Sequence, residues 1–79
     1  MAVDIKMAVQ VAVQHVQSLI GNVQDVRLEE IVPGPNDGWL VTISFLARDV
    51  GGVVGKREYK EIEINNFGQP VAMRIKQVA

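Results

Sequence analysis

"DIKMAVQVAVQHVQSLIG", residues 4–21, can be read as a strand or as a helix, and the choice decides the fold class. Val9, Val11 and Val13 alternate with Gln10, Ala12 and Gln14, which is a strand pattern over a short window. Over the whole stretch, at about 100° per residue, Ile5, Ala8, Val9, Ala12, Val16, Leu19 and Ile20 fall on one face instead. Lys6, Gln10, Gln14 and Gln17 gather opposite them. Asp4 is suited to cap the N-terminus and Gly21 to close the C-terminus. Length and caps therefore predict a helix over about residues 4–20.

After Gly21 the texture changes to strands, at about 25–32, 39–47, 57–65 and 70–78. In "VRLEEIV" (residues 26–32), Glu30 stands where an apolar residue is due, a slip that a bulge or an edge position explains. "PGPNDG" is dense turn chemistry, "DVGGVVG" a flexible connection, and "NNFGQP" the last turn. One helix followed by four strands predicts a single α+β domain over residues 1–79. Its helix packs across an antiparallel meander sheet in a cystatin-like or PepSY-like layout.

Registers follow from the loops. Pivoting the last hairpin on Phe67 sets Ile62 opposite Met73, Ile64 opposite Val71 and Glu61 opposite Arg74. Pivoting the preceding one on Gly52–Val53 sets Val41 opposite Ile64 and Ile43 opposite Ile62. Both choices gather apolar residues on one face and opposite charges on the other. Trp39, the only tryptophan, is in step with Val41, Ile43 and Phe45, so it is expected in the core, its indole N–H on a loop carbonyl.

Composition limits the function. With 79 residues the domain is small, and a hydrophobic content of 48% leaves apolar residues for self-association, so a homodimer is expected. Lys+Arg 8 against Asp+Glu 9 argues against nucleic acid, which a basic stripe would serve. The absence of cysteine points to a reducing compartment. Neither a secretion signal nor an apolar run long enough to span a membrane is visible, and the cytoplasm is the expected location.

No cluster carries catalysis. "GGVVGK" lacks the first glycine and the Ser/Thr of a phosphate-binding loop, and no helix follows it. His15 is the only histidine and has no further ligands at metal spacing, so no metal or cofactor is expected. Ser18 has His15 nearby but no third member of a triad, and Glu61 and Glu63 read as a solvated charge ladder facing Arg74 and Ala72, with Thr42 and Ser44 on its other side. Two surfaces remain as candidate partner contacts. One is the helix flank of Met7, Val11, Gln14 and Ser18, and the other is the outer sheet face around Leu40, Leu46, Tyr59 and Ala72. Met7, Val11, Gln14, Leu46 and Tyr59 are the residues singled out.

The frame "LIG", "DGWLVTISFLA" and "REYKEIEINNFGQPV" is similar to the gas vesicle protein O family. The matching positions are Leu19, Gly21, Gly38, Trp39, Val41, Tyr59, Ile62, Ile64, Asn65 and Gly68, spread over nearly the whole chain. The connection "RDVGGVVGK" and the tail "MRIKQVA" depart from the family's Pro-Asp-like segment and its basic, tyrosine-rich tail. The same pattern also resembles a PepSY-type domain. The first resemblance implies a non-enzymatic accessory in assembling a gas-filled protein shell. The second implies a regulatory or small-ligand-binding domain with a pocket between helix and sheet.

Overall fold

The computed structural model describes residues 3–21, 23–48 and 54–76, with Arg48, Val54 and Gly55 as backbone alone. Helix α1 (Ile5–Ile20) is followed by β1 (Val23–Pro33), β2 (Trp39–Arg48), β3 (Val54–Ile64) and β4 (Pro70–Ile75). The strands form one antiparallel sheet in the order β1-β2-β3-β4, with α1 against one face, as the α+β reading expects. Residues 49–53, most of the expected flexible connection, lie outside the described residues, and β3 starts at Val54 rather than near 57.

The helix is closed at both ends by the residues its sequence offers. The Asp4 carboxylate accepts the Met7 N–H at 2.8 Å, and Gly21, at φ +87°, donates its N–H to the Gln17 carbonyl at 3.1 Å. Ala8, Ala12 and Val16 are fully buried, and the two alanine methyls let the helix backbone come close to the sheet. Ile5 and Leu19 were expected on this buried face but are 51% and 60% exposed. They share its meridian but lie in the first and last turns of the helix.

Opposite the helix stand Val41, Ile43, Phe45, Ile62 and Ile64, all fully buried. Trp39 shares their face, packs against this core, and donates its indole N–H to the Val3 carbonyl at 2.6 Å. That bond ties the start of β2 to Val3, the residue preceding the helix cap Asp4. Next to it, a Cβ at Gly38 would lie 2.0 Å from the Ile64 carbonyl oxygen, so only glycine lets β2 and β3 approach this closely.

The β2–β3 register differs from the expected one by two residues. Val41 faces Ile62, Ile43 faces Lys60, and Trp39 faces Ile64. Because side chains alternate with period two, a two-residue slip leaves each one on its intended face. The last hairpin is as expected at Ile62↔Met73 and Glu61↔Arg74, but Ile64 faces Pro70 and not Val71. There one extra residue of β4 is taken up beside the turn, whose Asn65 side chain accepts the N–H groups of Phe67 and Gln69 at 2.9 and 3.0 Å.

Strand β1 carries irregularities at two places, between Gln24 and Arg27 and between Leu28 and Glu30. Asp25, at φ +51°, sits at the first. The second absorbs the slip at Glu30 by leaving Glu29 without an opposite residue. With these insertions Val26 and Ile31, three and two residues from Val23 and Pro33, keep their place against the core.

Candidate interaction site

The sheet face turned away from the helix is polar in sequence yet largely closed to water at its centre. Thr42 is 4% exposed and Ser44 fully buried. They sit in β2, one of the two strands flanked on both sides, and long charged side chains from β1, β3 and β4 fold over them. Ser44 donates its hydroxyl hydrogen to the Glu29 carboxylate at 2.5 Å and accepts from the Arg57 guanidinium at 2.8 Å. Arg57 also donates to the Asp25 backbone carbonyl at 3.1 Å and pairs with the Asp25 carboxylate, which holds Arg27 at 2.8 Å as well. The irregularities of β1 bring Asp25 and Glu29 to this cluster.

A second cluster lies towards β4. Arg74 reaches Glu63 at 2.8 Å and Glu61 at 3.4 Å, and Lys76 reaches Glu61 at 3.1 Å and Glu30 at 3.7 Å. The hydrogen bond to Glu63 raises the Arg74 pKa, and the hydrogen bond to Glu61 raises that of Lys76. The expected ladder of Glu61 and Glu63 is present, facing Arg74 and Ala72. On its other side it meets Thr42 and Leu40, a consequence of the two-residue slip.

These groups satisfy one another. The Ser44 hydroxyl has a carboxylate on one side and a guanidinium on the other, and it is sealed from any substrate, so the cluster holds strands together rather than activating a nucleophile. His15 is half-buried on the helix, and among the described residues no group of His, Asp and Glu side chains comes together to hold a metal. No described helix is long and apolar enough to cross a membrane, which says nothing of a β-barrel.

The five residues singled out for partner contact fall on opposite sides of the molecule. Met7 is exposed and lies beside Gly68 of the β3–β4 turn. Gln14 is exposed on the same helix flank, whereas Val11 is half-buried and packs on the core. Leu46 and Tyr59 are half-buried on the outer face, opposite Arg57 and Ser44 respectively. The set thus lies on the two surfaces read from the sequence, a helix flank and an outer-face patch, with the sheet between them.

A further apolar surface went unnoticed in the sequence. Phe67 at the turn tip is 79% exposed, and in β4 Val71 and Ile75 are 52% and 76% exposed. The signal was present in "PVAMRI": an edge strand ordinarily carries a charge where Val71 and Ile75 stand. No family model matches the chain, and neither a curated protein nor a solved structure matches it.

Proposed function

We propose that this chain is a non-enzymatic interaction module that acts in assembly, and that its service is that of a gas vesicle accessory protein. One contrast supports the module. The polar side chains of the sheet pair with one another, whereas Phe67, Val71, Ile75 and Met7 leave apolar surface uncovered. Surface of that kind on a small domain marks contact with another macromolecule. The fully buried facing rows of helix and sheet, Ala8, Ala12 and Val16 against Val41, Ile43 and Ile62, favour this function over a ligand carrier with a pocket between the layers.

The gas vesicle role rests on the residue pattern alone, from Leu19 and Gly21 through Gly38-Trp39 to Asn65 and Gly68. Three of those positions have structural work: Gly21 ends the helix, Gly38 lets two strands meet, and Trp39 anchors Val3 beside the helix cap. We place the protein in the cytoplasm, as a homodimer with a protein partner and without nucleic acid, on its lack of cysteine and its balanced charge. Deleting the gene from its host is expected to lower the yield of buoyant vesicles, measured as pressure-sensitive light scattering. An undiminished yield, or a host that makes no vesicles, would sink the gas vesicle role.

A further inference from the structure

We propose that the edge of β4, with which no further strand pairs among the described residues, docks a second copy of this chain, whose own β4 adds antiparallel so that two sheets continue as one. This rests on the interaction module proposed above and gives it a surface and a partner. The two edges of the sheet are built differently. The β1 edge is interrupted between Gln24 and Arg27 and between Leu28 and Glu30, carries Asp25, Arg27, Glu29 and Glu30, and ends at Pro33. Bulges, charges and proline are the devices that keep an edge from pairing. β4 pairs regularly with β3 from Ala72 to Ile75 and carries its exposed apolar residues, Val71 and Ile75, on either side of Met73.

Backbone geometry sets the register. Lys76 donates its N–H to the Tyr59 carbonyl at 2.9 Å, continuing the β3–β4 ladder past Ile75. Antiparallel bonding alternates, so Arg74 and Ala72 also turn their backbone groups to β3, and those of Met73 and Ile75 point out from the edge. A twofold axis through Met73 then sets Ile75 against the second copy's Val71, Met73 against Met73, and Ala72 against Arg74. Met73, whose backbone groups point outward, meets its own copy, and Ile75 meets Val71, the residue of β4 taken up beside the turn, so the exposed apolar side chains of β4 face one another.

Charge complements this register. Glu63 stands opposite Ala72 in the sheet, and the axis brings the second copy's Arg74 to the far side of that alanine. Within its own chain Arg74 already holds Glu63 at 2.8 Å and Glu61 at 3.4 Å, so across the short methyl of Ala72 the second copy's guanidinium joins a cluster in which two acids share each arginine, and the same arrangement recurs on the other side of the axis. The obstructed β1 edges end the assembly at two chains instead of a fibre.

The test uses the full chain, with mass measured by sedimentation and folding by circular dichroism. The native chain is expected to sediment as two chains. Val71→Lys with Ile75→Lys opposes two lysine pairs across the axis and is expected to give a folded single chain; both sites are exposed, so the monomer tolerates them. Val71→Glu with Ile75→Lys opposes unlike charges in the same register and is expected to restore the pair. The chain has no cysteine, so Met73→Cys offers an independent readout: the axis sets the two thiols face to face, and oxidation is expected to link the chains. A native chain that stays single at every concentration, or a pair indifferent to both charge variants and unlinked through Met73→Cys, overturns the proposal. A single native chain whose gene deletion still lowers vesicle yield overturns the pairing and leaves the assembly role standing. A pair that forms as described, with vesicle yield unchanged on deletion, does the reverse.

Discussion

The two faces of the sheet exclude water equally well at β2 and do so by opposite means. On the helix side Val41, Ile43 and Phe45 are fully buried under apolar neighbours, a contact that needs only shape and hydrophobicity. On the outer side Thr42 and Ser44 are almost as deeply buried, with no second layer above them among the described residues. Their cover is a lattice of Arg57, Asp25 and Glu29 at one end and Glu61, Arg74 and Lys76 at the other. A one-helix, four-strand protein thus obtains a central strand buried on both sides. The helix face tolerates a change of apolar side chain, but the outer face depends on each donor meeting its acceptor.

The largest effect is expected from introducing a charge on the helix side. Val16→Asp places a carboxylate at a fully buried position surrounded by apolar groups, at a cost of several kcal/mol, on the order of the whole stability of so small a domain. Chemical denaturation should show the variant largely unfolded in buffer; a native-like midpoint would mean that the helix docks by another face.

Trp39→Ala comes next, at about 3 kcal/mol, from lost packing against the core together with the indole bond to Val3. Trp39→Phe separates the two by keeping an aromatic ring, and should lose only about 1 kcal/mol. Equal losses for the two variants would show that the hydrogen bond, and not the packing, closes that end of the sheet.

Smaller again is Ser44→Ala on the outer face, at about 1–2 kcal/mol, because it removes the hydroxyl that joins Glu29 to Arg57. Ser44→Val is the sharper probe. If hydrophobic cover were all that mattered there, valine would stabilise, whereas the hydrogen-bonded lattice predicts a loss at least as large as alanine's.

The smallest effect concerns Lys76. Its folded-state pKa is raised by the Glu61 hydrogen bond, so its contribution is complete below the ordinary lysine range and fades as pH rises through the raised value. Lys76→Met should therefore lower Tm slightly near neutral pH, and the difference should close in strong alkali and in high salt. A difference that survives both conditions would mean that the lysine stem acts by packing.

Local patterns were legible where the cause is local. Asp4 and Gly21 bound the helix because capping involves only neighbouring backbone groups, and the alternation of β2 placed Trp39 beside Val41 because pleating has period two. The β2–β3 register was legible only in its phase, since apolar matching is equally good two residues along. What distinguishes the observed pairing is Gly38 beneath the Ile64 carbonyl, a contact between residues far apart in the chain. Of the candidate contact set, Met7 and Gln14 are exposed and Leu46 and Tyr59 lie on the outer sheet face, as read, but Val11 packs on the core. A helical projection shows which residues share a flank and not how far the neighbouring layer reaches.

By itself, then, the sequence determined the elements, their order and the inward-facing set, because caps, turns and periodicity act over a few residues. Tertiary structure alone decided that Ser44 is sealed, that Ile5 and Leu19 are left open, and that among the described residues no further strand pairs with the β4 edge. Each of these depends on where distant strands end beside one another. The closure over Ser44 in particular needs Asp25, Glu29 and Arg57 delivered to one point by two irregularities in β1 and the pairing of β3, and no short window of sequence holds all three.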